Sequence, residues 1–562
     1  MIREHAVTAP PAQAVVRSTT LNYVAPIAVV LLLAFLIGLS IYAQAPPNPK
    51  PAEVSTSEYS ARRAMKYLSV IAAKPHPSGS AAQAEVRDYL MNELRANGLE
   101  PQVQRSARFR PSQGAPDSGI QNVMARLEGT GNGKAVLLVA HYDTVKNSFG
   151  AADDGSAVAT LLETLRTLKA GAPLKNDVIF LFTDAEEAGM LGAQIFVAEH
   201  PWAKDAGVVL NFEARGNSGP VIMFETSDNN GWLIEQFATA APLPVAHSLS
   251  YEIYKLLPND TDLSIFKDAG LSGLNFANID GITHYHSSQD TLSAVDGSSM
   301  QHQGSYAVAL TQHFGNLDLS QTTGRNAVYF DLFGRVLVHY STIWVLPLTF
   351  LVVGLFVALL ILGFRKRRLT VQGIFWGALS LLVSVVVSAL AVMLLWNVIW
   401  MLRPSLETLQ NRLLLLLFVA FTVVATSIIY IVMRRRAGFE SLAVGALLWW
   451  LLLTLVVSFF IPGGSFLFHW PLLACMVGVG WLILMPEHKT TAGFLILTLC
   501  AAPAIILWVP VIFGIFVGLT LNWIPFTAAM VVLLFGLLLP LFGLIAGSFK
   551  QVLPGSVKAA HS

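Results

Sequence analysis

Two adjacent glutamates, Glu186 and Glu187, follow the apolar run VIFLFT (178–183) and Asp184. Side by side, two carboxylates repel unless a positive charge lies between them. The pattern recurs along the chain. AVLLVA (135–140) runs into His141 and Asp143, and the next loop, GAADDGSA (150–157), carries Asp153 and Asp154. GVVLNF (207–212) runs into Glu213, and LSGLNFA (271–277) is followed by THYHSSQDT (283–291) with His284, Tyr285 and His286. Carboxylates mixed with imidazoles suit divalent metals, and Zn²⁺ accepts both ligand types. A metal also explains the paired glutamates: one binds the ion, whose charge offsets the repulsion, while the other takes a proton from an attacking water as general base. Any one of these acids alone reads equally well as a strand-end solvating group or a helix N-terminal charge. Five acid- or His-bearing elements at successive strand ends do not.

The surrounding pattern supplies a frame for such a centre. SARRAMKYLSVIAA (60–73) has helical character. In SAAQAEVRDYLMNELRANG (80–98), Ser80 is the N-cap, Val86, Leu90 and Leu94 share a stripe, and Gly98 stops the helix. The apolar runs already quoted, together with QNVMARLEG (121–129), alternate with helical stretches at 156–169 and 189–199. This alternation predicts a three-layer α/β/α domain with a mainly parallel central sheet. Chemistry in such sheets collects beyond the carboxyl ends of the strands, where the acids and histidines lie.

The rest of the chain has a different solvent. Of 562 residues, 54% are hydrophobic and 13% charged, against about 25% charged in soluble domains. The net charge of +1 gives no reason to expect nucleic acid. The two cysteines, Cys475 and Cys500, lie in apolar runs, so no disulfide framework exists in the polar part. YVAPIAVVLLLAFLIGLSIYA (23–43) is long enough to span a bilayer. AQA (43–45) also resembles a signal-peptidase site, but the apolar core exceeds the usual signal length, which favours a retained anchor.

Seven further apolar stretches lie near 340–363, 372–400, 412–433, 441–461, 466–485, 491–515 and 526–547, the sixth interrupted by Pro503 and Pro510. Arg3 and Arg17, RKRR (365–368), RRR (434–436), Lys489 and Lys550 all fall on one side under the positive-inside rule. The expected organisation is a cytoplasmic N-terminus (1–22), an anchor (23–43), a Pro-rich linker (44–54), an extracytoplasmic domain (55–335), a multispan domain of about seven helices (340–547) and a cytoplasmic tail (548–562). The domain would face a periplasm or an organelle lumen. Span interiors lack convincing Asp, Glu, Lys or Arg, which argues for an anchor or assembly platform over a transporter.

The ordered set His-x-Asp, Asp-x-x-Ser, Glu-Glu, a further acid and Tyr-His resembles the di-zinc metallopeptidases that include aminopeptidase Y, glutamate carboxypeptidase and the transferrin-receptor-like proteins. KPHPSGS (74–80) and TDLSIFKDAG (261–270) add to the likeness, which covers about 55–320. The multispan half resembles that family's membrane-bound branch, with endoplasmic reticulum metallopeptidase and vacuolar membrane protease. The resemblance implies two Zn²⁺ ions: His141 and Glu213 on one, Glu187 and His286 on the other, and Asp153 bridging. It implies Glu186 as general base, Asp143 orienting His141, and Tyr285 donating a hydrogen bond to the tetrahedral oxyanion.

Many relatives have Asp where this chain has Glu213, and the loop reads DDGSA where they end Ser-Gly. YHSSQDT fits the family pattern at His286, leaving His284 as a supporting or surface histidine. Arg215, two residues past Glu213, binds a substrate carboxylate or pairs with Glu213. Asp154 reads as a solvated loop acid, and His247 has no supporting context. The implied activity is hydrolysis of peptide substrates by a membrane-anchored aminopeptidase in contact with the lipid bilayer. A carboxypeptidase, a glutaminyl cyclase-like enzyme and a catalytically silent scaffold are the alternatives. Oligomeric state is not legible.

Overall fold

A computed structural model describes residues 13–109, 116, 118–131, 133–403, 412–485, 491–519 and 521–550. Arg3, Lys489 and residues 551–562 of the expected tail lie outside the described residues. Seven strands form one sheet: β1 (Gln102–Ser106), β2 (Ile120–Leu127), β3 (Ala135–His141), β4 (Val178–Thr183), β5 (Ala206–Ala214), β6 (Ser218–Thr226) and β7 (Gly273–Asp280). Their spatial order is β1-β2-β4-β3-β5-β7-β6. β4, β3, β5 and β7 run parallel, while β1, β2 and β6 are antiparallel margins. The sheet is therefore mixed, with a parallel centre.

Burial explains the division. Every residue of β3, β4 and β5 is buried, as expected for strands covered on both faces. Along β3, Val136, Leu138 and Ala140 join one apolar cluster with Leu161 and Leu165 of the Ala157–Lys169 helix. Leu137 and Val139 point the other way, into a cluster with Phe196 and Phe266. Alternate residues thus bind helices to opposite faces, the defining property of three layers. The margins carry partly exposed residues, and β6 contains Pro220, tolerable only at a sheet edge. Ser80 caps the Ala81–Ala96 helix by accepting the N–H of Gln83.

After β7 the Gly297–Phe314 helix returns across the sheet, and a hairpin follows, β8 (Ala327–Leu332) with β9 (Val336–Ser341). The hairpin leads directly into the apolar helices. Among the described residues eight helices are long and apolar enough to cross a membrane: Val24–Tyr42, Thr342–Arg365, Val371–Leu402, Arg412–Met433, Phe439–Phe460, Phe466–Leu484, Ala492–Leu519 and Ile524–Ala546. The helix containing Pro503 and Pro510 is continuous. Several contacts seat the sheet domain on this bundle, two of them near β8. The Ser248 hydroxyl donates to the Gly463 carbonyl at 2.5 Å, and Phe330 of β8 stacks on Phe466, ring centroids 4.7 Å apart.

Candidate metal centre

The carboxyl ends of the parallel strands deliver the site. His141 is the last residue of β3, Glu213 lies near the end of β5, and Glu186 and Glu187 follow β4. Asp153 sits in a π-helical turn (Ala151–Ser156), and the Asp153–Asp154 peptide is cis. His286 follows β7 through a short 3-10 turn and adopts φ +54°.

Asp153 is the hub. Its Oδ1 lies 3.1 Å from His141 Nε2, and its Oδ2 3.1 Å from His286 Nε2. Glu213 Oε2 is 3.7 Å from His141 Nε2, and Glu187 Oε2 is 3.0 Å from His286 Nε2. Two triads result, His141–Asp153–Glu213 and Asp153–Glu187–His286, the ligand atoms of each within 4.8 Å of one another. They share one carboxylate.

The electrostatics identify what this set lacks. Burial pushes Glu213 up to about 8 and raises Glu187 as well. Burial also opposes a charged His286, yet hydrogen bonds to Asp153 and Glu187 carry it up to about 9. His141 rises well above its ordinary value for the same reason, through Asp143 and Asp153. Asp153 is lowered because the two histidines outweigh its burial. Positive charge is what every carboxylate here demands, and Glu187 Oε1 is buried with no hydrogen-bond partner. A divalent cation would meet that demand in place of the imidazolium protons. Three carboxylates and two imidazoles, converging on one shared oxygen pair, fit zinc.

Supporting groups fix the hub. Asp290 accepts the N–H groups of Ala152 and Asp153 on its two oxygens, at 2.7 and 3.2 Å. His141 Nδ1 is 3.1 Å from the carbonyl of Asp143 and 3.6 Å from its carboxylate. Orientation of the ring thus comes through the backbone of Asp143 as much as through its side chain. That carboxylate also accepts the Glu186 N–H at 3.0 Å, holding the glutamate pair against the centre. Glu186 is partly buried, and burial raises its proton affinity well above the ordinary carboxyl range. The Tyr285 ring stacks on His286 with centroids 3.8 Å apart. The Arg215 guanidinium lies 5.8 Å from the Tyr285 ring, so its described partner is an aromatic face, not Glu213.

Several acids fall elsewhere than the sequence pattern suggests. Asp154 is 1% exposed and accepts the backbone N–H of His141 at 3.2 Å. It is an internal brace, not a solvated loop acid, because the loop turns inward at Asp153. Asp184 points away from the centre and accepts Ser78 Oγ at 2.6 Å, Gln83 Nε2 at 2.5 Å and the Gln121 N–H at 2.8 Å. That contact accounts for Ser78 of KPHPSGS. His284 Nδ1 meets the Asn217 side-chain amide, and His247 caps the Ser248–Tyr254 helix. Asp262, fully buried, accepts the Thr183 hydroxyl at 2.5 Å. Asp290 and Asp262 both lie in quoted motifs, YHSSQDT and TDLSIFKDAG, but spacing alone assigns neither a partner.

Residues 122–311 match Peptidase family M28. Endoplasmic reticulum metallopeptidase 1 of Rattus norvegicus is 32% identical over 309 residues, covering 51% of this chain and 34% of that protein. Vacuolar membrane protease of Yarrowia lipolytica is 29% identical over 395 residues, covering 64% and 39%. The chain spans about a third of the length of the curated relatives it matches. Among solved structures, BSAP, a zinc aminopeptidase from Bacillus subtilis, aligns at 16% identity over 47% of this chain and 98% of that one, with a TM-score of 0.37. The stretch that matches Peptidase family M28, residues 122–311, holds all eight candidate site residues from His141 to His286, and the chain's relatives include an endoplasmic reticulum metallopeptidase and a vacuolar membrane protease.

Proposed function

We propose that this protein is a membrane-anchored di-zinc exopeptidase, an aminopeptidase that removes N-terminal residues from peptides outside the cytoplasm. The convergence of two His–carboxylate triads on Asp153, with Glu186 beside them, carries this reading. His141 and Glu213 would hold one ion, Glu187 and His286 the other, with Asp153 contributing to both. Two zinc ions bound there would supply Lewis acidity, polarising a peptide carbonyl and acidifying water.

The remaining work falls to the chain's own groups. Glu186 takes a proton from the attacking water at its carboxylate and returns it to the leaving nitrogen. Its raised proton affinity and partial exposure suit that exchange. Asp143 keeps Glu186 and His141 in register through its carboxylate and carbonyl. Tyr285, braced between His286 and Arg215, offers its hydroxyl to the developing oxyanion.

The orientation rests on charge. Arg365–Arg368 and Arg434–Arg436 end the Thr342–Arg365 and Arg412–Met433 helices, both of which begin beside the peptidase domain. Basic ends mark the cytoplasmic face, so the domain lies on the other side.

The test is hydrolysis of a panel of aminoacyl fluorophores by detergent-purified protein, with Glu186→Gln as the pair. Activity lost in the mutant supports the reading. Equal inactivity across the panel overturns the aminopeptidase assignment and brings the carboxypeptidase, cyclase and scaffold readings forward.

A further inference from the structure

The two histidines of the centre are held by different bodies. His141 closes a strand buried in the sheet. His286 lies on the segment that leaves β7, and seven residues before it the end of that strand meets the membrane bundle. Ile279 packs into an apolar cluster whose other members are bundle residues, among them Val392, Trp396, Phe516 and Ile524. A Cβ on Gly518 would lie 3.7 Å from the Ile279 side chain, so bundle backbone and the end of β7 are in near contact.

Asp280, next in the chain, lies 3.4 Å from the guanidinium of Arg412, the first residue of its helix. Arg412 in turn lies 5.7 Å from the Phe513 ring. Arg412 is largely exposed, so the ion pair adds little alone; the apolar attachment of Ile279 dominates. Beyond Asp280 the chain turns through Gly281 at φ +77° and reaches Tyr285 and His286 with no further strand pairing. Besides the Asn217 and Asp290 contacts further along, the position of His286 is therefore referred to the end of β7 and, through Ile279, to the bundle beneath it.

We propose that the membrane bundle positions the 279–286 segment, and through it sets zinc affinity on the Glu187/His286 side of the centre, while the His141/Glu213 side depends on the sheet alone. Ile279 is the principal positioning residue and Arg412 an auxiliary one. The inference rests on the ligand assignment made under the proposed function, and it gives the bundle a role beyond anchorage. Groups that orient metal ligands typically govern affinity or activity about 10–100-fold, which sets the expected scale.

The experiment is zinc titration of the full chain in detergent against a chromophoric chelator, comparing wild type, Ile279→Ser and Ile279→Val. Wild type should bind two ions. Ile279→Ser should weaken one binding step about 10–100-fold and leave the other in place, with Ile279→Val restoring it. The melting of the peptidase domain should change little. Gly518→Phe presses on Ile279 from the bundle side without altering the domain, and should weaken the same step. Both steps shifting together, or neither shifting while wild type binds two ions, overturns the coupling and leaves the ligand assignment standing. Two ions still bound by both His141→Ala and His286→Ala would overturn the assignment, and the coupling with it.

Discussion

The two sides of Asp153 are built from unlike materials. On one side His141 and Glu213 are 1% and 7% exposed and stand on adjacent parallel strands in the middle of the sheet. On the other, the His286 side chain is 37% exposed, its backbone has a left-handed φ, and Glu187 lies in the loop after β4. A buried strand end cannot move without unpairing the sheet, whereas a loop can be adjusted by whatever it touches. The difference teaches that one side can serve as a fixed anchor and the other as the adjustable, substrate-facing side.

The largest expected effect lies between the two sides. Glu186→Gln should lower hydrolysis about 10²–10⁴-fold with bound zinc unchanged on both sides; loss of zinc along with activity would mean that Glu186 is a ligand. Next comes the hub. Asp290→Asn weakens the acceptors for the Ala152 and Asp153 N–H groups, and should cost about 10–100-fold in zinc affinity. Because Asp153 is shared, both binding steps should weaken; a one-sided effect would break the picture of a common hub.

Acid acts on the frame, at the sheet's β6 margin. His302, on the Gly297–Phe314 helix, accepts the Val221 N–H at Nδ1 and donates from Nε2 to the Leu243 carbonyl, at 3.1 and 3.0 Å. Burial pushes it down to about 4 from an unfolded value near 6.5. The folded protein keeps the ring neutral while the unfolded chain protonates. This contribution is whole above about pH 6.5 and is lost as the pH falls toward 4, by about 1.4 kcal/mol per unit. His302→Gln should flatten the acid side of a melting-temperature profile; an unchanged slope would show that other groups set it. The smallest effect belongs to Ser78→Ala, which removes one of three donors from Asp184 and should cost about 1 kcal/mol of stability. Hydrolysis per folded molecule should hold, since Asp184 ties the frame and faces away from both sides.

How much of this could be read from residues alone varied with the physics involved. The central strands were legible because burial on both faces makes them continuous apolar runs, and the Ser80 cap because its chemistry is local. β1, β6, β8 and β9 were not, since strands at a margin or in a two-stranded hairpin mix polar and apolar residues and borrow stability from neighbours. The candidate ligands stood out by type and by position after strands. Their convergence did not, because it depends on β3 lying between β4 and β5, an order no local signal encodes. Asp154 and Asp184 illustrate the limit: one adjoins a candidate ligand in sequence and the other lies three positions before one, and only the direction of the loop decides which way each carboxylate faces.

The clasp between Gln44 and Asp331 has a consequence for assembly. The Gln44 amide donates to both oxygens of that carboxylate, at 3.2 and 2.9 Å, joining the end of the first apolar helix to the end of β8 across 287 positions. At about 5–20 residues per second of synthesis, the first helix is made many seconds before its partner exists. The helix must wait with the segment that follows it untied while the whole sheet domain emerges. Completion of the β8–β9 hairpin then closes the largest loop in the domain just as the next apolar helix begins. A ribosome stalled before that point would leave a tethered, unfastened domain, vulnerable to quality-control proteolysis in a way the finished protein is not.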